Sequence, residues 1–208
     1  MCAALNSSRN LAEIFRAHGR AIWVAALLFT LGICLGGLTP VTQVSGDPVL
    51  SSLFRELEQL AQHYRPYSLF TIGFLFLKNT LTIVLCLVFG FMLGVPPALT
   101  LVLNGWFIGF FSKILVQRES LMFAAGGILP HGLFEIPALI FGGASGLRFG
   151  IATLRKILSA LRGGDYSIRP VLRQSLILTA LAVCLLIPAA IAETYITPVV
   201  LSLLKSQR

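Results

Sequence analysis

The sequence predicts an all-α fold: a polytopic membrane bundle of about five transmembrane helices, with a broken or kinked fourth span and an amphipathic extracytoplasmic helix. Three observations carry that reading. Hydrophobic residues make up 56% of the 208 residues and charged residues only 12%, about half the charged share of an ordinary soluble domain. The apolar residues gather into runs near the ~20 residues that a helix needs to cross a bilayer. The net charge of +8 comes from bases clustered beside those runs rather than within them. A chain this apolar could not cover a soluble surface. The same composition excludes disorder, coiled coil, collagen and a nucleic-acid arm, so no nucleic-acid partner is expected and membrane lipids are.

The whole chain, 1–208, reads as one membrane domain. Residues 1–20 form a cytoplasmic arm, with a short amphipathic helix whose Leu11, Ile14 and Phe15 share a face. Span 1 covers 21–39. It is too long for a signal-peptide core and no small-residue cleavage site follows it, so it is retained. Its Gly32 and Gly36 have the GxxxG spacing that permits close helix contact. Asp47-Pro48 then marks a helix start. Apolar residues recur at helical spacing through 47–65, with Arg55, Glu56, Glu58, Gln59 and Gln62 on the other face.

Span 2 covers 68–93 and span 3 covers 97–116. The link between them is so short that they should be antiparallel neighbours. Span 4 covers 121–147, a basic cytoplasmic loop covers 148–170, and span 5 with a bent C-terminal extension covers 171–204. Whether 191–204 continues span 5, lies flat or crosses again is open at this level. Nine bases, Arg9, Arg16, Arg20, Arg148, Arg155, Lys156, Arg162, Arg169 and Arg173, fall on the side of the N-terminus, against six on the other. This bias orients the chain with the N-terminus inside and the C-terminus outside. The four cysteines form no CxxC pair, and small buried hydrophobes are their plain reading.

Charged side chains at mid-membrane cost at least about 2.5–3.5 kcal/mol each on insertion scales, and they face the protein interior or water. This sequence has few: Lys78 and Asn79 in span 2, Asn104 in span 3, His131 and Glu135 in span 4, and Glu193 late in span 5. Span 4 is the most unusual, because Pro130, Gly132 and Pro137 lie inside its apolar run. Proline removes a backbone donor and clashes with the preceding turn, so a break is expected there. Such breaks are tolerated only against protein or a wet cavity. His131 and Glu135 are four residues apart and share a face on any continuous helix. Break and polar pair therefore mark one interior site.

A metal site is weighed because His and carboxylates are ligands, but one His and no HExxH pattern argue against it. An ion or proton path is open, since His titrates near neutrality. An intramembrane hydrolase would need a nucleophile or activated water that no spacing here specifies. The plain structural reading is a buried polar cluster tying spans 2–5, in which Lys78 beside Glu135 or Glu193 neutralises buried charge. No catalytic residue, cofactor or metal is assigned. Asn104-Gly105 reads as an interhelical hydrogen bond beside a close approach.

The pieces LKNTLTIVLCLVFGFMLGV (77–95), LNGWFIG (103–109), LPHGLFEIPALIFGGASGLRFG (129–150) and AETYITP (192–198) resemble the stage II sporulation protein M family of integral membrane proteins. The resemblance covers roughly 70–200. It falls on Asn79, Asn104, Gly105, Pro130, His131, Gly132, Glu135, Pro137, Glu193 and Pro198; Lys78 lies within the first piece at a position where the resemblance implies no fixed residue, and its role rests on the burial argument alone. It implies a five-span protein of the cytoplasmic membrane. In endospore formers the family member acts in engulfment as the membrane partner of two peptidoglycan-degrading proteins and is not itself the hydrolase. Similar proteins occur in bacteria and archaea that never sporulate. The expected function is thus a non-catalytic scaffold or partner for envelope-remodelling proteins, with the 47–65 helix as contact surface. The alternative is a transporter or translocase of a small solute, ion or lipid, with a midplane site at His131 and Glu135. For so short a chain, transport implies a homodimer.

Overall fold

The computed structural model describes residues 2–40 and 66–206, and of residues 2–10 the backbone alone. The expected amphipathic helix at 47–65 lies outside the described residues. The elements are α1 (Cys2–Leu38), α2 (Leu69–Val88) closed by a 3-10 turn at Phe89–Phe91, α3 (Val95–Arg118), α4 (Leu121–Leu161), α5 (Arg169–Ile191), a π-helical turn at Ala192–Ile196, and α6 (Thr197–Ser206). Five helical stretches are long and apolar enough to cross a membrane, and no strand occurs among the described residues.

The spans agree with the sequence reading at their cores and differ at their ends. The arm expected at 1–20 is not a separate piece: α1 runs from it straight into span 1. No proline stops the helix, and Gly19 alone costs it only about 1 kcal/mol. Ile14, His18, Ala21, Ala25 and Phe29 recur at helical spacing and form one buried stripe along α1. Leu27, Leu31, Leu35 and Leu38 are exposed, as side chains facing lipid tails should be.

The basic loop expected at 148–170 is largely helix. Nothing breaks α4 before Gly163, whose φ of 71° ends it, so the connection to α5 shrinks to 162–168. Between α2 and α3 the turn depends on Gly94 at φ 79°, and Pro96 then sits in the first turn of α3, where its missing N–H is harmless. Ser120 caps α4, its Oγ accepting the Phe123 N–H at 3.1 Å.

The expected break in the fourth span takes a different form. α4 is one helix through both Pro130 and Pro137. Each proline withholds an N–H from the carbonyl four residues back, Gly126 and Leu133, while the neighbouring turns keep the helix continuous. The departure from α-geometry lies instead in the fifth span, at the π turn between Pro188 and Pro198. That span continues through the turn into α6. Residues 191–204 thus extend it and do not fold back.

Two crossings set the bundle. A Cβ on Gly32 or Gly36 would strike the carbonyls of Val102 or Trp106, and one on Gly105 or Gly109 those of Phe29 or Ile33. α1 and α3 therefore run parallel, backbone against backbone, through two interlocked GxxxG steps. In the second crossing, Gly142 faces Ile83 and Gly146 faces the Cys86 carbonyl, which brings α4 alongside α2. Ala138, Leu139, Ala144, Ala182 and Leu186 fill the core between. Residues 39, 67, 119–120 and 206 gather at one pole of the bundle. The start of α1 and the 162–168 connection lie at the other.

Candidate functional site

Three helices bring polar side chains to one cavity. α2 contributes Lys78 and Asn79, α4 contributes His131 and Glu135, and the π turn contributes Glu193; the cavity measures about 210 Å³. Small walls from Ala189 and Ala190 leave that room. At a rise of about 1.5 Å per residue, Lys78 and Asn79 sit about 13–15 Å from the start of α2, and His131 and Glu135 about 15–21 Å from the start of α4. Against a hydrocarbon core of ~30 Å, both helices place the cavity near mid-membrane.

The closest contact in the site joins His131 Nδ1 to Glu193 Oε2 at 2.5 Å, with both side chains partly accessible at 22% and 26%. Thr197 Oγ1 donates to the same Glu193 oxygen at 3.2 Å. The π turn makes this geometry. The extra residue in the turn brings Thr197 Oγ1 to 3.3 Å from the Ala192 carbonyl, five residues back, and Thr194 Oγ1 ties to the Ala190 carbonyl at 2.8 Å. π turns concentrate at functional positions because they re-aim side chains within a helix.

Glu135, one turn along α4 from His131, lies within electrostatic reach of His131, Lys78 and Glu193 and beside the Asn79 side chain. Lys78 is expected beside Glu135 or Glu193, and it lies within electrostatic reach of Glu135; for Glu193 the contact differs. The direct partner is His131 instead, and Lys78 stands across the same cavity with its side chain exposed. Two carboxylates, one ammonium and one imidazole face one another. With the ammonium charged, the set is neutral when one proton is held among the imidazole and the two carboxylates.

Asn104 is not among the residues lining the cavity. Its amide donates at 2.8 Å to the Thr100 carbonyl of its own helix, while its neighbour Gly105 makes the α1 crossing. Pro130, Gly132 and Pro137 belong to the α4 turns that carry His131 and Glu135, and Gly132 is buried. Among the described residues no group of three His, Cys, Asp or Glu side chains is placed to hold a metal.

A second polar knot escaped the sequence reading. His18, 0% exposed, lies 2.9 Å by Nδ1 from the Ile14 carbonyl and 3.2 Å by Nε2 from Ser175 Oγ. Arg148 Nη1 approaches the ring at 2.8 and 3.2 Å. The 2.8 Å approach of Arg148 is to Nδ1 and the 3.2 Å approach is to Nε2, and a neutral ring has one accepting nitrogen to share among these neighbours. The knot joins α1, α4 and α5. Its sequence signal was the i,i+4 spacing of Ile14 and His18 on the buried face of α1.

The chain matches the family described as stage II sporulation protein M over residues 25–198. It is 25% identical over 182 residues to one uncharacterized protein of Methanocaldococcus jannaschii, covering 85% of this chain and 93% of that one. It is 26% identical over 203 residues to a second uncharacterized protein of the same organism, covering 93% and 90%. No solved structure matches. The family match takes in three membrane-crossing helices whole, most of the fifth and the second half of the first, and every polar residue of the cavity, so this chain belongs to the stage II sporulation protein M family.

Proposed function

We propose that this chain is a small multi-pass transporter that passes a proton or small cation through its mid-membrane cavity. In this reading it sits in the cytoplasmic membrane with its N-terminus inside, following its arginine bias. One observation carries the reading: the His131–Glu193 pair opens into a cavity of about 210 Å³ that also holds Glu135 and Lys78. Charges at this depth cost about 2.5–3.5 kcal/mol each. A cluster serving only to tie helices gains most by closing around its charges. This one keeps space for exchangeable water or an ion beside the π turn of the fifth span, and the midplane is where transporters place their substrate and ion sites.

The test is reconstitution into vesicles with an internal pH-sensitive dye and imposed H⁺, Na⁺ or K⁺ gradients. Wild type should carry flux above empty vesicles. Glu135→Gln should lower it about tenfold or more while elution profile and melting temperature stay the same. Wild-type flux no greater than that of empty vesicles under all three gradients would overturn the reading, as would full flux in Glu135→Gln.

The family description favours a second reading, a scaffold for envelope-remodelling proteins. Crosslinking in mild detergent followed by mass spectrometry tests it. Reproducible capture of an envelope hydrolase would make the polar cavity a structural feature of that scaffold.

A further inference from the structure

We propose that a second cavity, at the pole formed by the start of α1 and the 162–168 connection, is a binding site for a phosphate monoester or diester group. The cavity is about 290 Å³ and lies between α1, α4 and the start of α5. Arg20 enters it from α1, Arg148 and Arg155 from α4, and Tyr166 from the connection. Arg148 and Arg155 are seven residues apart, two helical turns, and so project from one face. Ile151 between them and Val171 opposite supply apolar wall.

Among the described residues, no carboxylate lines this cavity. Asp165 precedes Tyr166 in the chain but is not among the lining residues. Three guanidinium groups without a counter-charge hold a positive potential that a bound anion relieves. Their planar forks pair bidentately with phosphate oxygens. Three forks and a phenol offer more donors than the two oxygens of a carboxylate can take, whereas a phosphate monoester presents three terminal oxygens and a diester two, with two ester oxygens beside them. Arg148 is also held in place from behind, because its Nη1 lies 2.8 Å from the buried His18 ring.

The position fits the chemistry. Arg20 is the last base before the apolar run of α1, so the cavity opens at the edge of the membrane. Basic pockets between membrane helices at that depth take phosphate-bearing lipid headgroups. A soluble phosphate ester from the aqueous side carries the same group and reaches the same opening.

The experiment uses the full chain purified in detergent. Native mass spectrometry reads retained phosphatidylglycerol, and inorganic phosphate and glycerol 3-phosphate serve as competitors. Arg155→Gln and Arg20→Gln should each lower phosphatidylglycerol retention about tenfold. Arg162→Gln, on the same pole but outside the lining, should not. These variants leave the Arg148–His18 contact intact, so the fold is not at stake. If millimolar phosphate displaces the lipid, the site serves a soluble phosphate ester; if it does not, the site serves a headgroup. The proposal fails if wild type retains no more lipid or phosphate than the Arg20→Gln/Arg155→Gln double variant. It fails equally if Arg162→Gln loses as much as Arg155→Gln, which would make the effect one of surface charge.

Discussion

The backbone N–H of Tyr67 donates to the carbonyl of Thr194 at 3.2 Å. In an unbroken α-helix that carbonyl would accept from residue 198, but residue 198 is proline and has no N–H. The entry to α2 thus supplies the bond that the fifth span cannot make for itself. Tyr67 reaches it with a left-handed φ of 61°, and its ring packs edge-on against Tyr195 at 5.9 Å. Thr194 and Tyr195 are neighbours of Glu193, so this cross-chain bond braces the turn that aims Glu193 at His131.

Pro198→Ala should therefore loosen the brace. The new N–H competes with Tyr67 for the Thr194 carbonyl. Losing one net hydrogen bond is worth about 1 kcal/mol, so the Tyr67 amide should exchange with deuterium about fivefold faster. Flux should fall in the same variant, because the π turn would relax toward an α-helix and swing Glu193 away from His131. Unchanged exchange at Tyr67 would show that the bond does not depend on the proline.

The α1–α3 crossing separates two adjacent glycines. A Cβ at Gly36 would strike the Trp106 carbonyl, whereas one at Gly37 meets nothing within 4 Å. Backbone atoms cannot rotate away as side chains do, so Gly36→Ala should cost about 1–3 kcal/mol. Gly37→Ala should be neutral or stabilising by up to about 1 kcal/mol through helix propensity. Melting in detergent followed by size-exclusion compares the two. Equal melting temperatures would mean that the crossing opens without penalty.

How much of this was legible in the sequence follows from which interactions are local. The spans were readable because hydropathy and length alone define them. His131 and Glu135 were readable as a pair because i,i+4 neighbours share a face whatever the rest does. The partner of Glu193 was not, since it depends on how α4 and the fifth span pack, and the π turn shifts Glu193 by a fraction of a turn that no periodicity reveals. Gly32 and Gly36 were visible as a motif, but their partners Gly105 and Gly109 emerged only from the crossing. Pro130 and Pro137 misled in the other direction. Proline in water usually ends a helix, whereas flanking helices in a bundle hold it together. His18 was hidden for a simpler reason: its acceptor role needs Arg148 and Ser175, each more than 100 residues away.

The His131–Glu193 contact carries a coupling that can be measured. Removing either partner leaves the other in a low-dielectric site without its counter-group, at a cost of about 1–3 kcal/mol given their partial access to the cavity. His131→Gln and Glu193→Gln should each destabilise the protein by that amount, and the double variant by less than the sum. A double-mutant cycle of unfolding free energies reads the difference directly. Strict additivity would mean that the two side chains do not sense each other, despite the 2.5 Å contact.

The buried knot at the opposite pole predicts an asymmetry between its members. His18 lies fully inside the bundle and touches α1, α4 and α5 through Ile14, Arg148 and Ser175. Replacing it with Ala removes ring volume and bonds to all three, at about 2–4 kcal/mol. Ser175→Ala removes one hydroxyl from the same ring and should cost only about 0.5–1.5 kcal/mol, since the ring keeps its contacts to Ile14 and Arg148. Arg148 is only half-buried, so water can replace the imidazole it loses in His18→Ala, which limits the cost to the core itself. Unfolding of each variant in a denaturing detergent ranks them. A Ser175→Ala cost equal to that of His18→Ala would place the weight of the knot on the hydroxyl and not on the ring.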